Sequence, residues 1–186
     1  MARASRADNF PIMATRRVLY VIAPERFRDE ELAEPQRALV QAGHSVTVAS
    51  TRPGVASGML GARVPVQTTI AAARAAEFDA LIIAGGAGAP AHLWDHEPLR
   101  QLAVALHQSG RPVAAICLSP PVLARAGLLT GRRATTFPDS RAIIELKRGG
   151  ATYVDQPVVS DGTIITASGP EAATAFGAAL VHLLGP

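Results

Sequence analysis

Apolar residues in this chain come in two kinds of short run. The first kind is unbroken and rich in branched side chains: Arg17 to Ala23 (RVLYVIA), Phe78 to Ala84 (FDALIIA) and Val113 to Ile116. Such runs predict strands buried on both faces, as in a parallel sheet. Ser45 to Ser50 alternates and is β-rich, and predicts one more strand. The second kind recurs at helical spacing. Leu32, Ala38, Leu39 and Ala42 do so within Asp29 to Ala42, and Leu99, Leu102, Ala103 and Leu106 within Glu97 to Ser109. Gly43 and Gly110 supply the stops. Further helices are predicted over Pro121 to Ala126, from a Ser140 cap to Arg148, and over Glu171 to Leu184. Gly54 to Val66 reads as a turn with a minor hairpin, and Thr135 to Phe137 as a brief strand. Val154 to Ser160 and Thr163 to Ala167 flank Asp161-Gly162, a two-residue hairpin signal.

Strands alternating with helices predict an α/β fold, a flavodoxin-like three-layer sandwich with a mostly parallel sheet. Ligands collect beyond the carboxyl ends of such strands. Two loops fall on that edge, Ala84 to Ala89 and Cys117 to Pro120. One domain is expected over 16–186, after a flexible extension over 1–15 in which Met13 is an alternative start.

Composition narrows the function classes. Hydrophobic residues make up 48% and charged residues 18%, which fits a globular chain with a real core. The net charge is only +3, and Arg3, Arg6, Arg16 and Arg17 crowd the N-terminus. No basic cluster on a folded element suggests a nucleic-acid face. No run reaches the ~20 apolar residues of a membrane span, and the N-terminus lacks a signal-type apolar run. A single cysteine cannot form an intrachain disulfide, which suits a reducing cytoplasm. The expectation is a soluble cytoplasmic protein.

That cysteine is the main chemical candidate. In PVAAICLSPPVLARAGLL, Cys117 directly follows a buried strand and precedes a helix. A residue so placed sits in a sharp turn, the nucleophile elbow. A helix N-terminus aimed at it would favour the thiolate. The competing reading is a cysteine that serves as a small core hydrophobe.

The surrounding motifs weigh against the inert reading. Glu31-Leu-Ala-Glu-Pro35, Ala84-Gly-Gly86, Ala115-Ile-Cys-Leu-Ser-Pro120, Leu128-Leu-Thr-Gly131, Ala134-Thr-Thr136, Asp161-Gly and Thr166-Ala-Ser-Gly-Pro170 follow in order. In this set the chain resembles the ThiJ/PfpI superfamily, which includes peptidase-like proteins and the parkinsonism-associated protein deglycase. The resemblance covers nearly all of Arg17 to Leu184. It implies that Cys117 is the nucleophile and that Glu31 is a protonated carboxylic acid bonded to the sulfur. Gly85-Gly86 and Leu118 would offer backbone N–H groups near the sulfur, as an oxyanion hole does.

Two positions depart from the superfamily pattern. Peptidase-like members carry histidine directly after the cysteine, where this chain has Leu118, so peptide hydrolysis is disfavoured. Deglycase-like members use a histidine after the Thr-Thr pair, where this chain has Phe137. Ser119 stands where glycine is common and adds a hydroxyl near the sulfur. Of the histidines, His92 is the candidate to approach Cys117. His44, His107 and His182 read as solvated or capping. His92 and His96 have metal-ligand spacing but no third ligand, so no metal is expected. No organic cofactor is implied either, because Gly85-Gly-Ala-Gly88 lacks a full dinucleotide fingerprint.

The resemblance implies action on reactive carbonyls, with a small aldehyde or a glycated protein as substrate. It also implies a homodimer or higher homo-oligomer. The alternative is a redox-responsive stress protein whose Cys117 is oxidised without turnover.

Overall fold

The computed structural model describes residues 14–185. The expected N-terminal extension therefore lies almost wholly outside the described residues. A seven-stranded sheet forms the centre. Its interior strands are β1 (Arg17–Val21), β3 (Ser45–Ser50), β7 (Ala80–Ile83), β8 (Val113–Ile116) and β12 (Ile164–Ala167). With the edge strands β6 (Thr68–Thr69) and β11 (Val158–Asp161), the order is β11-β12-β8-β7-β1-β3-β6. Every pairing is parallel except β11 with β12, the hairpin around Asp161-Gly162. The unbroken apolar runs occupy the buried middle, where β7, β8 and β12 are buried along their whole length.

Helices cover the sheet in two groups. α1 (Asp29–Gln41) packs against α6 (Ala173–Leu184). α3 (Glu97–Gln108) packs on α4 (Pro120–Arg125), and α4 on α5 (Ser140–Arg148). The single turn α2 (Ala89–His92) follows the glycine loop. Two small sheets complete the fold. β2 (Glu25–Phe27), β4 (Gly54–Gly58) and β5 (Arg63–Val66) form one, and β9 (Arg133–Ala134) with β10 (Thr152–Tyr153) the other. No described helix is long and apolar enough to cross a membrane.

Three local expectations are corrected. The strand expected at Thr135 to Phe137 falls just before it, at β9; the Thr135 amide instead donates to the Thr166 hydroxyl and the Thr136 hydroxyl to the Cys117 carbonyl. The cap of α5 is Asp139, whose carboxylate accepts from the Arg141 and Ala142 amides, and not Ser140. His44 is buried, with Nε2 2.9 Å from the Gly185 carbonyl, so it ties down the chain's end and is not solvated.

Candidate active site

Cys117 ends β8 and starts the turn into α4, with φ at 63°, one of two non-glycine residues in the left-handed region among those described. That conformation costs about 1–2 kcal/mol and persists only where neighbours enforce it. Here they do. The Cys117 amide donates to the Ala167 carbonyl at 2.8 Å. Its own carbonyl accepts from the Thr136 hydroxyl at 2.6 Å and the Phe137 amide at 2.9 Å. One residue on, the Leu118 carbonyl accepts from Trp94 Nε1 at 2.6 Å, and the Arg125 guanidinium lies 5.1 Å from the Trp94 ring centroid. Trp94 braces the elbow from a distance in sequence that no periodicity reveals, with Arg125 over its ring.

Glu31 reaches the same point from the first turn of α1. It is fully buried. Its Oε2 accepts from the Gly85 amide at 2.8 Å, Oε1 has no hydrogen-bond partner, and the Cys117 thiol is near enough to favour the carboxylate. Position 35 explains how the helix holds this residue. Pro35 lies inside α1 and has no N–H to give to the carbonyl four residues back, which is Glu31's. The buried Tyr20 hydroxyl donates to that carbonyl instead, at 2.5 Å. Tyr20→Phe is therefore expected to cost about 1–3 kcal/mol, because it strands a buried carbonyl. Denaturant titration checks this; an unchanged midpoint would contradict it.

The glycine loop closes the site. A Cβ on Gly85 would stand 2.7 Å from Cys117 Cβ and 2.7 Å from the Leu118 nitrogen. Gly86, at φ +101°, presses as closely on Arg28. The two glycines split the task that the sequence assigned to them jointly. Gly85 serves the Glu31 carboxyl, while the Gly86 and Leu118 amides approach the sulfur and favour its anion. Gly85→Ala is expected to destabilise the fold by about 1–3 kcal/mol through overpacking. It should also slow alkylation of the single thiol by iodoacetamide; unaltered stability and labelling would show that the loop yields.

Burial dominates the electrostatics. It raises the Glu31 carboxyl from an ordinary 4.5 to about 7, against the pull of the thiol, the Gly85 amide and the Arg28 charge. Burial and the Glu31 carboxylate together push the Cys117 thiol up, the opposite of the shift expected from a helix N-terminus. The turn also offers the sulfur few helix donors. α4 opens on Pro120 and Pro121, which carry no N–H, and the Ser119 amide bonds back to the Ile116 carbonyl. Through about pH 7 the pair therefore loses the first of its two protons, and its titration belongs to both groups. Arg28, chelated by Glu30 at 2.8 and 3.0 Å, is the cation whose field reaches both, a role that no motif marks.

The structure thus brings Cys117, Glu31, Gly85, Gly86 and Leu118 together, and gives the two auxiliary candidates other partners. Ser119 is buried and its hydroxyl donates to the Ala84 carbonyl at 2.7 Å, a brace between loops rather than a free group at the sulfur. The His92 ring nitrogen lies 3.1 Å from Glu25 Oε1, and His96 caps α3 by accepting from the Leu99 amide. Among the described residues, no group of three or more His, Cys, Asp or Glu side chains gathers as a metal site would require.

Comparison with known proteins agrees with this fold. The sequence model of the DJ-1/PfpI family matches residues 16–183. The chain is 46% identical over 165 residues to an uncharacterized protein of Methanocaldococcus jannaschii, covering 89% of this chain and 80% of that one. It is 36% identical over 164 residues to a protein of Pyrococcus abyssi named as a deglycase, covering 88% and 97%. Among solved structures, a ThiJ/PfpI domain protein from Brachyspira murdochii superposes with a TM-score of 0.87 at 32% identity, covering 91% of this chain and 96% of that one.

Proposed function

The chain belongs to the DJ-1/PfpI family, and from that premise we propose that it is a cysteine-dependent enzyme acting on reactive carbonyls, of the glyoxalase or protein deglycase type. The single observation that carries the reading is the buried pair: a thiol beside a buried carboxyl that keeps one oxygen without a hydrogen-bond partner. The name of the Pyrococcus abyssi relative supports the substrate class.

On this reading the Cys117 sulfur adds to the aldehyde carbon of methylglyoxal. The C–S bond forms as the C=O π pair moves to oxygen, and the thiol proton goes to Glu31. The oxyanion takes up a proton to complete the hemithioacetal. Glu31, titrating near 7, is matched to shuttling protons at neutral pH. Loss of the C1 proton and return of one to C2 through an enediol gives a thioester. Water then cleaves it to lactate and the free thiol, so methylglyoxal and water become lactate with no redox partner. On a glycated amine the C–S bond would form as the C–N bond breaks, and the amine would leave unmodified with a proton from Glu31. Peptide hydrolysis is a poor fit, because Leu118 offers no imidazole beside the sulfur.

The test is lactate formation from methylglyoxal by the purified chain. Wild-type activity that depends on Cys117 supports the reading. An inert wild type, with Cys117 oxidised by dilute peroxide, would favour the redox-responsive alternative.

A further inference from the structure

The hairpin of β4 and β5 carries its tip to the edge of the Cys117 site. Asp29, at the start of α1, holds that tip: its carboxylate accepts from the Leu60 amide at 2.9 Å and the Ala62 amide at 2.8 Å. The Met59 amide donates to the Phe27 carbonyl at 2.9 Å. The Met59 sulfur in turn accepts from the Ala87 amide at 3.4 Å.

Ala87 belongs to the glycine loop. Just before it, the Gly85 amide serves the Glu31 carboxyl and the Gly86 amide approaches the Cys117 sulfur. The loop has no slack on its far side. A Cβ on Gly86 would stand 2.4 Å from the Arg28 nitrogen, and one on Gly88 2.0 Å from the Glu25 carbonyl oxygen. Met59 is the one methionine among the described residues, and it is 42% exposed against 5% for Cys117. A thioether reacts with a peroxide without first losing a proton, whereas a thiol reacts as its anion.

We propose that Met59 is an oxidation site through which a hydroperoxide loosens the glycine loop over Cys117. A sulfur lone pair attacks one peroxide oxygen, so that an S–O bond forms as the O–O bond breaks. The proton of the transferred oxygen goes to the departing one. Sulfur is oxidised to the sulfoxide, and the peroxide is reduced to water or, from an alkyl hydroperoxide, an alcohol. The sulfoxide oxygen is a stronger acceptor than the thioether and takes the Ala87 amide from farther out. Asp29 and Phe27 hold the hairpin tip, so the loop is the part that shifts. Burial is the main cause that holds the Cys117 thiol up, and an opened loop relieves it. A methionine sulfoxide reductase reverses the change. The inference concerns access to the thiol and does not require that lactate form.

The experiment treats Cys117→Ala protein, labelled at the methionine methyls, with dilute hydrogen peroxide and follows it by NMR, with Met59→Leu assigning the signal. Met59 is expected to oxidise within about threefold of the rate of Nα-acetyl-methionine amide, as an exposed thioether does. The Gly85, Gly86 and Ala87 amide signals should shift with it and return on reduction by the reductase. In the wild type, once dithiothreitol has returned any sulfenic acid to the thiol, the Met59 sulfoxide form should alkylate with iodoacetamide about threefold faster than untreated protein. Oxidation more than about tenfold slower than the free amide would mean that the sulfur is covered, and overturns the proposal. So do loop amides that stay in place while Met59 oxidises, a loop response that survives in Met59→Leu protein, or alkylation that is no faster.

Discussion

Cys117→Ala is expected to lower lactate formation from methylglyoxal by about a thousandfold or more, equivalent to roughly 4 kcal/mol of barrier. The argument is that no second nucleophile stands in reach. Ser119 is committed to the Ala84 carbonyl, and His92 is engaged by Glu25. The variant should fold, since the backbone bonds to Ala167, Thr136 and Phe137 that fix the turn do not use the sulfur. Cys117→Ser should be nearly as inactive, because an alcohol beside a base that titrates near 7 stays protonated. Substantial residual turnover in the alanine variant would remove the cysteine from the mechanism.

Glu31→Gln is expected to separate stability from activity. The folded carboxyl titrates near 7 against an ordinary 4.5, so the native state holds the proton more tightly than the unfolded chain. Stability from this group is full below the unfolded value and is lost as pH rises through 7. At about pH 8 the wild type carries a buried negative charge that glutamine does not, worth up to ~3 kcal/mol. The amide can still accept from Gly85. The variant should therefore melt above the wild type by roughly 5–10 °C at pH 8, with little difference near pH 4. Its turnover should fall by about 10²–10⁴, because the proton acceptor is gone. In the wild type kcat/KM should climb through about pH 7 and level off as the pair loses its first proton. Calorimetry across that range checks the sign; a variant less stable at pH 8 would mean that the carboxylate is well accommodated.

Sequence patterning located the sheet well, because strands buried on both faces are apolar throughout and need no partner to be recognised. β1, β3, β7 and β8 lie where the runs place them. Short edge elements were less legible: β2 and β9 are made by pairing, not by composition. At the site, Cys117 announced itself by its place between strand and helix, and the superfamily motif pointed to Glu31. The supporting groups left no such mark. Tyr20, Trp94 and Arg28 act through single bonds to residues far away in the chain or through charge. The direction of the thiol shift was also hidden, since it depends on burial and on the Glu31 carboxylate brought beside the sulfur by the fold.

The central claim is that the Cys117 sulfur bonds to the carbonyl carbon and Glu31 carries its proton. It is tested most directly by carbon NMR of methylglyoxal labelled at the aldehyde carbon, mixed with stoichiometric protein. The account predicts a sulfur-bound carbon signal that decays into the lactate carboxylate, absent with Cys117→Ala and slowed with Glu31→Gln. Label that stays in the aldehyde, or lactate that forms equally fast without the cysteine, would contradict it.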